Sequence, residues 1–392
     1  MEEIMKKALA MLLAVVMVLA LCACGQAAAP AAAPAEAPAA AETVAEAVEE
    51  ASTDDLIGIV LPTKEESYWL GCQKYLEQEL AGYNFEILYS QHDSAVEKTN
   101  VETFINKGAK YLVFCAYDAE AAASTAEEAK QAGLTVICYD RLIMNTDAVD
   151  YYVTFDSKAV GRAQAKYLIE KAAGEKDINF YMYCGALTDN NSILFFEGVW
   201  EVLQPALADG TFTVRNCDKA VELKDNPTPT RDELVSIMQT IDTEWSMPTC
   251  KNLAEAHLAA VDADAKGRVF VLGPQDDDCA RALSDAFHAD ADVTEVIVTG
   301  ADGTEGSVQY IIDGLQSMTV YKDTVNLAKG TRTIIEALVN GQEPETNSTY
   351  PNGAKDVPAI QTDVVTVTAD NIVEVFFDSG VYDGSKYTGW QK

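Results

Sequence analysis

Histidine and positive charge are the scarce commodities in this 392-residue chain: three histidines, and 28 lysines and arginines against 62 aspartates and glutamates. His92, His257 and His288 are too scattered, and the cysteine spacings too irregular, to form a zinc site. A formal net charge of −34 repels nucleic acid and anionic headgroups, which excludes a DNA-binding role and disfavours anionic substrates. Residues 1–52 carry two lysines and seven glutamates, so nearly all of that charge belongs to the remainder. A membrane span is missing as well. The apolar run Ala8 to Leu21 is too short and too rich in small residues to cross a bilayer.

What that run does resemble is an export signal, with Lys6 and Lys7 ahead of it. It closes in Leu21-Cys22-Ala23-Cys24-Gly25, which resembles the bacterial lipoprotein signal, where cleavage before a cysteine frees its thiol to carry lipid. The expectation is a signal over residues 1–23, a lipid on Cys24 and a tether to residue 53. Ala27 to Glu50 is an Ala/Pro/Glu tract without aromatics, unable to bury enough surface to order itself. Beyond Cys22 and Cys24 there remain seven cysteines, so at least one is free. Cys115, Cys138 and Cys184 lie in apolar strands and read as buried thiols. Cys217 and Cys250 flank a polar segment and could pair.

The body of roughly 340 residues exceeds what one core usually accommodates and predicts two lobes. Short apolar runs alternate with amphipathic stretches. Leu56–Leu61, Phe85–Tyr89, Tyr111–Cys115 and Thr135–Tyr139 read as strands, separated by helices over Tyr68–Leu80, Val96–Lys107 and Glu120–Ala132. A second set follows, with strands Tyr151–Phe155, Ile178–Tyr183, Val269–Leu272 and Val296–Thr299. This rhythm predicts an α/β fold of two doubly wound, Rossmann-like parallel sheets. Glu222 to Thr243 reads as a polar, proline-bearing insertion with a short helix at Glu233–Thr240.

In such sheets ligands bind beyond the carboxyl ends of the strands. Those ends here are chemically loaded: Asp140-Arg141, Asp189-Asn190-Asn191, Pro274-Gln275-Asp276, Ala301-Asp302-Gly303 and Tyr321-Lys322. A carboxylate that accepts beside a guanidinium that donates in a fixed fork suits a ligand rich in hydroxyls. Each acid alone would equally serve as a helix N-cap, and an Asp-Arg pair as a surface ion pair. Their joint placement around one crevice is what points to binding.

The chain resembles the type 1 periplasmic sugar receptors, nearest to the xylose-binding and multiple-monosaccharide-binding proteins of ABC transporters. The likeness runs from Leu56 to about Tyr382 and is carried by Pro62-Thr63-Lys64, Tyr139-Asp140-Arg141-Leu142-Ile143, Phe155-Asp156, Asp189-Asn190-Asn191, Val320-Tyr321-Lys322, Asn352-Gly353 and Val357-Pro358. It implies two lobes joined by a three-strand hinge crossed near Phe155, Tyr321 and Val357. The first lobe is then 54–155 with 322–356, the second 156–321 with 357–392. It also implies ligand contacts from Asp140 and Arg141 in the first lobe, Asn191, Gln275 and Asp302 in the second, and Lys322 near the hinge. Trp69 and Trp245 fall where the family sandwiches a pyranose ring, and Lys64 and Tyr68 complete the expected set. Tyr68 stands where xylose-type members have arginine, and Gln275 where many have asparagine. The calcium loop of some relatives is not evident, since Asp262-Ala263-Asp264-Ala265-Lys266-Gly267 has lysine where a third oxygen ligand is needed.

The expectation is a monomeric, extracytoplasmic, lipid-anchored binding protein without cofactor or metal, delivering a xylose-, glucose- or galactose-type monosaccharide to an ABC permease. The alternative is a sensor that presents its closed form to a chemoreceptor or histidine kinase. A glycosidase is disfavoured because Arg141 and Lys322 would keep Asp140 and Asp302 ionised and unfit as general acids. A lactose-repressor-type regulator would need a helix-turn-helix where the signal and tether stand.

Overall fold

The computed structural model describes residues 54–391, so the expected signal, lipidated Cys24 and tether lie outside the described residues. The first sheet is built from β1 (Ile57–Leu61), β2 (Phe85–Tyr89), β3 (Tyr111–Phe114), β4 (Thr135–Tyr139) and β5 (Tyr151–Phe155). Helices α1 (Ser67–Glu79), α2 (Ser94–Asn106) and α3 (Ala123–Gln131) connect the first four strands. Neighbouring strands run parallel in the order β2-β1-β3-β4-β5. The pleat sorts their side chains. Ile57, Ile59 and Leu61 join Trp69, Cys72 and Leu76 of α1 in one core, while Val60 turns to the other face with Val101 and Phe104 of α2. Burial on both faces explains why these strands read as continuous apolar runs.

After Phe155 the chain passes into a second sheet through α4 (Ser157–Ala172). That sheet holds β6 (Ile178–Met182), β7 (Phe212–Val214), β8 (Gly267–Leu272) and β9 (Val293–Val298) in the order β7-β6-β8-β9, all parallel. Its helices are α5 (Asn190–Ala208), α6 (Asp218–Leu223), α7 (Arg231–Met238), α8 (Met247–Ala259) and α9 (Arg281–Ala289). A small third sheet pairs β10 (Ala301–Asp302) with β11 (Thr319–Tyr321), with α10 (Glu305–Ile312) between them. Beyond Tyr321, α11 (Thr324–Val339) returns to the first lobe, placing Leu327, Ala328, Ile334 and Ile335 in the core that holds Trp69.

Two expectations are corrected. The lobe boundary at residue 357 is misplaced: β13 (Asp356–Thr362), hairpinned to β12 (Ser348–Pro351), lies parallel to β5 in the first sheet. The third crossing falls at residues 363–364, before β14 (Val365–Val367) joins β11 antiparallel. Pro358 inside a short run of alternating burial hid this strand from a reading by apolar content. Cys217 and Cys250 do not pair; each is a buried thiol outside any disulfide. Cys217 Sγ lies 3.3 Å from Thr240 Oγ1, whereas Cys250 packs beside Cys279 and Ala282. In the segment 222–243 the short helix expected at Glu233–Thr240 is present as α7, Arg231–Met238. Leu234, Ile237, Met238 and Ile241 cover the second core, and a Thr230–Glu233 capping box starts α7.

One core position carries a pH dependence. Glu97 on α2 is 1 % exposed and accepts 2.7 Å from the backbone N–H of Tyr117. Burial pushes its carboxyl up from 4.5 to about 7. The folded protein therefore holds a proton that the unfolded chain releases. This stabilisation is complete below about pH 4.5 and is lost as pH rises to about 7, up to about 3 kcal/mol in all. Glu97→Gln is expected to raise Tm above neutrality and change it little near pH 4.5. Equal Tm shifts at both pH values would contradict the assignment.

Candidate functional site

Asp140 ends β4 in the left-handed region at φ 62, a conformation that aspartate tolerates better than most residues. Two main-chain bonds hold it there: its N–H donates to Val153 O at 2.8 Å, and its carbonyl accepts from Tyr152 Oη at 2.5 Å. One carboxylate oxygen accepts from Tyr68 Oη at 2.6 Å and lies 3.4 Å from Lys322 Nζ, and the other accepts from Asn191 Nδ2 at 3.3 Å. Burial, reinforced by the charge on Asp140, pushes the Tyr68 hydroxyl well above its usual range, so it acts as a donor.

From the second lobe, Asp189 caps α5 by accepting from Asn191 N at 2.8 Å, and its other oxygen lies 3.0 Å from Arg141 Nε. Asn191, the second residue of that helix, donates to Asp140 O at 2.8 Å and accepts from Ser157 Oγ at 3.0 Å. Arg141 lies over the Trp69 ring, 5.2 Å from its centroid. Burial is the largest influence and opposes its charge, but its neighbours together, Asp189 foremost, outweigh that and hold the guanidinium protonated. Trp69 donates its indole N–H to Glu66 at 2.9 Å, and Glu66 in turn lies 3.0 Å from His92.

Lys322, the first residue after β11, stands at the second crossing. Its ammonium lies 3.4 Å from Asp140 of the first lobe and 3.3 Å from Asp302 of the second. Burial works against its charge, and the two carboxylates raise its pKa in spite of that. The rings of Tyr68 and Phe155 lie 4.5 and 5.2 Å from the same nitrogen. Trp245 is set by the segment before it, through Thr243, whose N–H and hydroxyl both bond Cys184 O, at 3.0 and 2.6 Å. Gly185 makes this possible, since a Cβ there would collide with the Trp245 indole.

These groups converge on one cavity between the lobes. Tyr68, Trp69, Asp140, Arg141, Asn191, Trp245, Gln275, Asp302 and Lys322 all line it. Lys64 is the exception and is corrected: it is exposed, with its ammonium 4.7 Å from the centre of the Tyr89 ring. Three lining residues were not expected, namely Glu66, Asp189 and Phe195. Phe195 follows Asn191 by four, a spacing that places both on one helix face and was available as a signal. A larger groove beside it shares Tyr68, Asp302 and Lys322 but lacks both indoles, Asp140, Asn191 and Gln275. The chemistry for a hydroxyl-rich guest is in the smaller space. Among the described residues no cluster of His, Cys, Asp or Glu could hold a metal ion, and no helix is long and apolar enough to cross a membrane.

Two α/β lobes that meet over a cavity, each supplying acids and an indole and the second adding two amides, define a hinged two-lobed receptor. The chain belongs to the periplasmic binding protein domain family, whose profile matches residues 57–343, and is a type 1 binding protein, not an enzyme. It is 32% identical over 343 residues to the multiple sugar-binding periplasmic receptor ChvE of Rhizobium radiobacter, covering 85% of this chain and 92% of that one. It is 31% identical over 292 residues to the D-xylose-binding periplasmic protein of Escherichia coli, covering 74% and 79%. A carbohydrate transporter solute-binding protein from Chloroflexus aurantiacus, crystallised with D-glucose, superposes with a TM-score of 0.83 at 53% identity, over 85% of this chain and 98% of that one. An ABC transporter solute-binding protein from Clostridium phytofermentans with bound β-D-glucose gives 0.76 at 31% identity, over 85% and 99%.

Proposed function

We propose that this protein captures a glucose-type aldopyranose between its lobes and delivers it to an ABC permease, acting as a monomer held outside the cytoplasm by a lipid on Cys24. The observation that carries the reading is the placement of Asp140 and Asp302, from opposite lobes, on the single ammonium of Lys322. Around that centre, carboxylates, amides and a guanidinium suit the hydroxyl rim of a sugar, and Trp69 and Trp245 suit its C–H faces. The two solved relatives that carry glucose support this choice of ligand.

A micromolar Kd corresponds to about −8 kcal/mol, or about −0.7 for each of a hexose's roughly 12 heavy atoms. Such efficiency needs enclosure by both lobes. Contacts to the second lobe that form only on closure are the differential affinity that shifts the hinge, and the permease then reads the closed form. The test is a thermal-shift panel of pentoses and hexoses on residues 54–392. A ligand at 100 times its Kd adds about 2.7 kcal/mol. Glucose is expected to give the largest or near-largest shift, and a panel with no shift would refute the reading.

Trp69→Ala is expected to weaken glucose and galactose alike, by about tenfold, because a stacked ring does not read hydroxyl stereochemistry. Calorimetry with both epimers checks this, and a loss confined to one of them would contradict it.

A further inference from the structure

Asp276 does not line the cavity, yet it is completely buried and gathers four donors. One carboxylate oxygen accepts from Gly303 N at 2.8 Å, Thr304 N at 3.2 Å and Thr319 Oγ1 at 2.7 Å; the other accepts from Gln316 Nε2 at 2.7 Å. Two of these donors are the backbone N–H groups that immediately follow Asp302. Asp302 itself has φ 94, a backbone conformation disfavoured for any residue with a Cβ and kept only where the surroundings enforce it. Room for the arrangement comes from Gly300, where a Cβ would collide with both Asp276 Oδ1 and Gln316 Nε2. Asp276 is also the next residue after Gln275, so one buried carboxylate links two cavity-lining positions of the second lobe.

We infer that Asp276 is the positioning residue of the second-lobe half of the site: it holds the strained 302–304 turn and thereby sets where the Asp302 carboxylate meets Lys322 and the ligand. Asp276→Asn keeps the shape but replaces one accepting carboxylate oxygen by an amide NH2 that cannot accept, which releases either the turn or Gln316. Asp302 then relaxes toward ordinary φ values and its carboxylate withdraws from the hydroxyl it reads. The first-lobe contacts through Asp140 and Arg141 are untouched, so the damage is selective.

The inference rests on the proposed sugar function. The experiment is calorimetry of the wild type, Asp276→Asn, Asp302→Asn and the double variant with glucose and its monodeoxy analogues. Asp302→Asn identifies the hydroxyl that Asp302 reads, as the deoxy penalty it abolishes. Asp276→Asn is expected to lower glucose affinity about tenfold to a hundredfold, to shrink that same deoxy penalty and no other, and to add little on top of Asp302→Asn. A uniform loss across all analogues, an additive double variant or an unchanged affinity would overturn the inference. Should Asp276→Asn fail to fold, Thr319→Val removes one donor from the same oxygen and is expected to give the same selective pattern more weakly; a uniform or absent effect there overturns it equally. A wild type that binds no monosaccharide would refute the functional reading itself, whereas binding without the selective pattern refutes only the role of Asp276.

Discussion

Asp140→Ala is expected to abolish measurable binding of glucose. The substitution removes the acceptor of Tyr68 and Asn191 and one of the two carboxylates facing Lys322, all in a buried site where unmade bonds are not replaced by water. Truncating one partner of a buried, hydrogen-bonded charge pair costs roughly 2–5 kcal/mol, enough to carry a micromolar ligand toward millimolar. Because Asp140 O is also the acceptor for Asn191 across the lobes, the side-chain loss leaves that bond in place. Calorimetry is therefore expected to report a binding defect in a protein that still folds. Affinity within about threefold of wild type would remove Asp140 from the site.

Lys322→Met is expected to damage closure itself. Without the ammonium, the Asp140 and Asp302 carboxylates from opposite lobes lose the cation they share, and breaking a buried pair by removing one partner costs about 3–5 kcal/mol. Small-angle scattering in the presence of glucose is expected to show the open form near pH 8. A variant that closes and binds normally at pH 8 would show that Lys322 does not couple the lobes.

Most strands and helices of both lobes were legible from the chain because strands buried on both faces leave unbroken apolar runs, and the helices between them carry their own spacing and caps. Thus β2, β4, β5 and α4 lie where the residues place them. The strand β13 was not legible, because its place beside β5 is set by a partner some 200 positions away and not by its own composition. The short helix expected within the polar 222–243 segment is α7, but its seat on the second core was not legible, since only three of its eight residues are buried.

The same division holds at the site. Asp140, Arg141, Asn191, Gln275, Asp302 and Lys322 could be named in advance because a parallel sheet delivers its strand ends to one edge, a rule of topology that needs no coordinates. Lys64 could not be ruled out, because a side chain one turn from the crevice points into it or away from it according to the packing of its neighbour, here Tyr89. The amino-acid order by itself determined the two-lobed architecture and the supply of acids, amides and indoles, since those follow from periodicity and from residue type. Only the tertiary structure decided that Asp189 pairs with Arg141 across the cleft, that Lys322 joins the two acids and that Asp276 holds the turn behind Asp302: contacts between segments far apart in the chain depend on distances that no local pattern encodes.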